Sequence, residues 1–150
     1  MSDEPLGEEV TDAMTRARFV AFVRDARQGV VATIDADGHP EAALVGVAVT
    51  DDGELVFDSP NGTRKVANIR EKPRVALVIG WDDGVSVQVE GDADILAGPE
   101  REAYGRAYLA QFPGSRVLDE DFAVVRVVPG WLRCYDARSE PPTVVEKVCW

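Results

Sequence analysis

The chain has 150 residues, 45% hydrophobic and 29% charged, which points to one globular domain with a sizeable core. Asp and Glu number 27 against 16 Lys and Arg, and the resulting formal charge of −11 disfavours nucleic acid and anionic membranes as partners. No apolar run approaches the roughly 20 residues that span a bilayer.

Residues 1–10 read as an acidic, flexible N-terminus, the opposite of a basic-then-apolar secretory signal. A cytoplasmic location is therefore expected. Thr11 or Asp12 is placed to cap a helix running to about Gln28, in which Phe19, Phe22, Val23 and Ala26 form an apolar stripe. Gly29 is expected to end it. The period then changes to that of strands. Val30 to Ile34, Ala42 to Thr50 and Glu54 to Asp58 are short apolar runs separated by Asp-Gly turns, which reads as an antiparallel meander. Thr63 to Glu71 reads as a short helix closed before Pro73.

Val75 to Trp81 and Val85 to Leu96 follow as a hairpin around Asp82-Asp83-Gly84. In the second of these Val85, Val87 and Val89 alternate with Ser86, Gln88 and Glu90, giving one apolar and one polar face. Glu100 to Gln111 is helical, and Phe122 to Tyr135 is a last strand region bent near Pro129-Gly130. Residues 139–150 read as an extended C-terminal tail. The pattern predicts a mostly β domain with flanking helices, in which about six antiparallel strands close into a barrel that leaves few free edges.

The stretch from Val56 to Lys65 carries the chemistry. A strand ends, Gly62 turns, and a helix begins near Thr63 with Arg64 and Lys65 in its first turn. Cations at a helix N-terminus are disfavoured by about 0.3–1 kcal/mol each, and a resident anion reverses that penalty. Ser59 and Thr63 add hydroxyls, so helix end, hydroxyls and cations together describe a phosphate site. The same cations also read as solvated charges countering nearby acids, and spacing alone leaves both readings open.

Val56-Phe-Asp-Ser-Pro-Asn-Gly-Thr-Arg-Lys65, then Ala67-Asn68-Ile69 and Pro73-Arg74-Val75-Ala76-Leu77, resemble the flavin mononucleotide segment of the pyridoxamine 5′-phosphate oxidase superfamily. Ala32-Thr-Ile-Asp-Ala-Asp-Gly-His-Pro40 is similar to that family's opening hairpin. The resemblance covers about residues 29 to 98 and, more loosely, reaches Tyr135. It implies a six-stranded antiparallel split β-barrel that dimerises, with FMN bound at the subunit interface. Ser59 then matches the residue near the flavin ring and ribityl chain. Thr63, Arg64 and Lys65 match the phosphate-binding residues. Ser86 matches a position that contacts the isoalloxazine, and Gln88 on the same face is placed to substitute for it. The resemblance also places Trp131, on the C-terminal strand, as a contact to the partner's flavin.

Two departures bear on function. The oxidase proper carries an arginine and a lysine where this chain has Ala43 and Ala48, and its C-terminal substrate-binding region has no counterpart here. Flavin binding is thus implied more fully than pyridoxamine oxidation. Three readings follow: an FMN-dependent oxidoreductase, a deazaflavin-dependent reductase on the same fold, and a flavin or haem carrier or sensor without turnover.

The remaining residues read plainly. His39 is a solvated turn residue, and no nucleophile elbow accompanies it. Trp81 reads as core or interface, and the acids at 82–83 and 119–121 as solvated loops. One histidine with Cys134 and Cys149 does not make the usual four-ligand zinc site, so no metal is expected and both thiols read as reduced.

Overall fold

The computed structural model describes residues 14–150; the expected caps Thr11 and Asp12 and the acidic stretch 1–10 lie outside them. The first helix, α1 (Arg16–Ala26), is capped by Thr15, whose side chain accepts from the Arg18 amide at 3.2 Å. Phe19 and Val23 are fully buried on its inner face, as the stripe predicts. Gly29 does not end the helix. Arg27 takes the left-handed position instead (φ 63°), with its amide bonded to the Val23 carbonyl and its guanidinium over the Phe112 ring at 4.5 Å. Gly29 lies in the following strand, where a Cβ would come within 3.2 Å of Val47 and 3.1 Å of the Val78 carbonyl. Close packing, not helix termination, requires the glycine.

Strands β1 (Gln28–Ile34) and β2 (Pro40–Gly46) form the first hairpin. The second expected strand is in fact two. Val47 leaves the ladder to bond its amide to the Arg27 carbonyl at 2.9 Å, and β3 (Ala48–Val49) pairs with β4 (Leu55–Pro60) instead. The expected meander is therefore corrected: β4 pairs with β7 (Phe122–Asp136), not with β2. After α2 (Arg64–Glu71), β5 (Arg74–Ile79) and β6 (Val85–Ile95) complete a path β2-β1-β5-β6-β7-β4-β3. Its two end strands are consecutive in the chain and joined by Val47 alone. The sheet curls into a split barrel because one apolar run supplies both of its edges.

A further strand, β8 (Thr143–Val148), turns the expected loose tail into an eighth member paired with β7. β4 occupies the first half of that β7 edge and β8 the second. The changeover follows a bulge at which Gly91 faces Pro129 and Glu90 faces Trp131, so Gly130 is the extra residue. Six runs were legible; splitting one and adding the tail gives eight strands.

Two cores flank the sheet. The barrel interior holds Val31, Leu55, Phe57, Leu77, Ile79 and Leu132, plugged by α1. The second lies between the sheet and α3 (Gly98–Gln111), with Val56, Val124 and Tyr108. Strand β4 serves both, which is why Leu55-Val56-Phe57 is apolar without alternation. Beside Cys149, Trp150 donates its indole N–H to the Asp52 carbonyl at 3.2 Å and packs on Phe19. Gly53 (φ +86°) makes room for it, since a Cβ there would sit 2.8 Å from the indole nitrogen. Among the described residues no helix is long and apolar enough to cross a membrane.

Arg126 ties α3 to the sheet. Its guanidinium, mostly buried, donates to Asp94 at 2.9 Å and Glu100 at 2.8 Å and lies over the Tyr104 ring. Removing it loses two charge-assisted hydrogen bonds to half-exposed carboxylates and the packing of its guanidinium on Tyr104. In urea denaturation Arg126→Ala should lose about 2–3 kcal/mol, whereas Arg133→Ala, paired on the surface with Glu146, should lose less than about 1 kcal/mol. Equal losses would contradict this.

Candidate functional site

Strand β4 delivers the loop that precedes α2. Asn61 anchors that loop, its amide bonding to the Asp121 carbonyl at 2.8 Å and its side chain to the Glu120 carbonyl at 2.9 Å. Thr63 is the N-cap of α2 but makes no side-chain cap bond, because its hydroxyl pairs with Ser59 Oγ at 2.7 Å. The first turn contains no acid, and Arg64 and Lys65 occupy its first two positions. The helix therefore presents amides without a side-chain acceptor beside two cations.

A cavity of about 370 Å³ opens at this helix end, lined by Thr63, Arg64 and Lys65 from α2 and by Val31, Thr33, Glu41 and Ala43 from the first hairpin. Ser59 is almost wholly buried, so it reaches the cavity only through Thr63. Arg64 forms an ion pair with Glu41. The other carboxylate oxygen of Glu41 accepts from Asn68 Nδ2 at 2.7 Å, and the same amide donates to Thr33 Oγ1 at 3.0 Å. Glu41 and Asn68 were missed by sequence reasoning. Their signal was positional: Glu41 alternates with Ala43 and Val45 on the inward side of β2, and Asn68 follows Arg64 by four residues on α2.

The remaining expected contacts lie elsewhere. On the outer face of the sheet, Leu44, Val30, Val78, Gln88 and Arg133 stand in one cross-strand row. Ala42, Ala32, Ala76, Glu90 and Trp131 form the next. Gln88 and Trp131 line a shallow groove of about 250 Å³ between these rows. Ser86 lies one row further, opposite Tyr135. Thus Ser59, Thr63, Arg64 and Lys65 cluster at α2, whereas Ser86, Gln88 and Trp131 share the outer face. The two groups fall on opposite faces of β1, since Val31 and Thr33 line the cavity and Val30 and Ala32 the groove. Ala43 borders the cavity, but Ala48 is buried in the second core.

His39 has a partner the sequence reading did not give it, Asp35 Oδ2 at 3.3 Å, although both imidazole and turn face solvent. The His39 amide, bonded to Asp35, holds that carboxyl below its usual range. Trp81 is exposed beside Asp82 and Asp83 rather than in the core. Both cysteines are free, and burial pushes each thiol above its ordinary pKa. A disulfide-exchange reagent at pH 8 should therefore label buried Cys134 only as fast as the chain unfolds; rapid labelling of two thiols in the native protein would contradict this burial.

The fold is a split β-barrel with a cation-bearing helix end at its rim. The family model described as pyridoxamine 5′-phosphate oxidase matches residues 15–134, and the chain belongs to that family. A pyridoxine/pyridoxamine 5′-phosphate oxidase of Cupriavidus taiwanensis is 35% identical over 101 residues, covering 67% of this chain and 46% of that one. The chain thus spans about half the length of that curated relative. Among solved structures, a heme binding protein from Mycobacterium smegmatis matches with a TM-score of 0.74 at 19% identity, covering 90% of this chain and 58% of that one. A pyridoxamine 5′-phosphate oxidase-related, FMN binding protein from Nostoc punctiforme matches with a TM-score of 0.63 at 16% identity, over 100% of both chains. At these identities the two structures establish the shared fold.

Proposed function

We propose that this chain is a cytoplasmic flavoprotein that holds FMN non-covalently between two copies and works as a flavin-dependent oxidoreductase. The observation that carries the reading is the start of α2. Thr63 leaves the first-turn amides without a side-chain acceptor, and Arg64 and Lys65 stand beside them at the mouth of a cavity. A phosphate group satisfies all of these at once. Bound FMN supplies the electron-transfer chemistry, and the protein supplies orientation and electrostatics.

In this reading Arg64 and Lys65 neutralise the phosphate and Thr63 bonds it through its hydroxyl, oriented by Ser59. Ser86 and Gln88 bond the ring or ribityl chain, and Trp131 packs against it. Because one chain holds these groups on opposite faces of β1, a second copy is needed to complete the site. The outer face fits that role: Leu44 and Val78 are exposed there beside Ala32, Ala42 and Ala76.

The first test is the visible spectrum of the purified protein, followed by titration with FMN. An oxidised-flavin spectrum or saturable binding is expected. A Soret band would select the haem reading, and indifference to FMN with binding of a deazaflavin would select that cofactor. Arg64→Ala should weaken FMN by about 2 kcal/mol, roughly thirtyfold in Kd, and unchanged affinity would reject the phosphate assignment. Light scattering should find a particle of two chains. The double variant Leu44→Glu, Val78→Glu should run as one chain and bind FMN weakly; a monomer with full affinity would place the site within a single copy.

A further inference from the structure

The anion cavity contains an anion of its own. Among the described residues that line it, the charged groups are Glu41, Arg64 and Lys65, so Glu41 leaves one net positive charge facing the interior. Glu41 is not a loose surface acid. Its side chain is only 17% exposed, its carboxylate is paired with Arg64, and Asn68 grips the second oxygen at 2.7 Å. Asn68 is in turn buried and fixed to Thr33, itself 1% exposed. Arg64 and Asn68 are four residues apart on α2, so they clamp the carboxylate from one helix face. The clamp holds the guanidinium that an incoming phosphate needs.

We infer that Glu41 is the resident counter-ion of this cavity, which an incoming phosphate must displace from Arg64, and a specificity-determining residue that limits how tightly the cavity holds a phosphate ester. The inference rests on the proposal that the cavity takes the phosphate of a flavin. A phosphomonoester entering the cavity must draw Arg64 away from Glu41 and then sit beside that carboxylate. Both steps weaken binding, and both act on the phosphate, not on the ring. A ligand without phosphate meets neither. The Arg64–Glu41 pair thus sets how much negative charge the cavity accepts.

The experiment compares wild type with Glu41→Gln, which keeps the shape and the Asn68 contact while removing the charge. Binding of FMN and of riboflavin is measured at pH 8, and the thermal midpoint is followed against inorganic phosphate. Glu41→Gln should tighten FMN about tenfold and leave riboflavin unchanged. Inorganic phosphate should stabilise the variant at lower concentration than the wild type. Adding Arg64→Gln to Glu41→Gln should abolish the gain, because the gain acts through the freed guanidinium. Equal or weaker FMN binding in Glu41→Gln overturns the role of Glu41 while leaving the flavin reading intact. FMN refused by both proteins, with the phosphate effect still present, rejects the flavin and keeps the counter-ion. Loss of both effects overturns the two together.

Discussion

A single backbone hydrogen bond, from the Val47 amide to the Arg27 carbonyl, marks the constraint on which the architecture depends. Up to Gly46 the chain follows β1; from Ala48 it follows β4. An apolar run that stayed on one partner would make a flat meander with two long open edges. By changing partner at Val47 the run supplies both ends of the sheet, and the intervening strands must curl to meet it. Arg27 is available for this bond because it sits at the helix exit, steadied by Phe112 from α3. The joint therefore links α1, the strand switch and α3.

Much of this was legible in the sequence. Alternation along β6 located that strand to within a residue, and the stripe located α1 but not its ends, which fall at Arg16 and Ala26 within the expected span to Gln28. The partner switch was not legible: Gly46 stands where the run divides, but a glycine alone does not show that the next residue, Val47, leaves the ladder for a tertiary bond to Arg27. The pairing of β8 was hidden for a related reason. Its edge on β7 becomes available only because β4 takes the other half of that strand. Gly29 illustrates the opposite error, in which a helix-stop residue is required by packing against Val47 and Val78.

The site divides in the same way. The cation-bearing start of α2 could be read because the strand, turn and helix are contiguous in sequence. Glu41 and Asn68 could not, since their meaning lies in contacts from β2 to α2 across 27 residues. Nor does sequence show that Gln88 and Trp131 face away from Arg64. That follows from the pleat of β1, whose alternate residues line the cavity on one side and the groove on the other.

The two-sided burial of β4 has an evolutionary consequence. Leu55, Val56 and Phe57 each fill a core, so almost any replacement there loses packing, and this stretch has little freedom to drift. It leads directly into Ser59 and Thr63, so the loop that starts α2 is carried on an unusually inflexible support. Gln88 and Trp131, on the outer face of the sheet, lie on a surface where substitution disturbs little of either core. Descendants of such a chain can change what they recognise while keeping the anchor fixed. One scaffold can in this way be inherited by proteins with different small-molecule preferences.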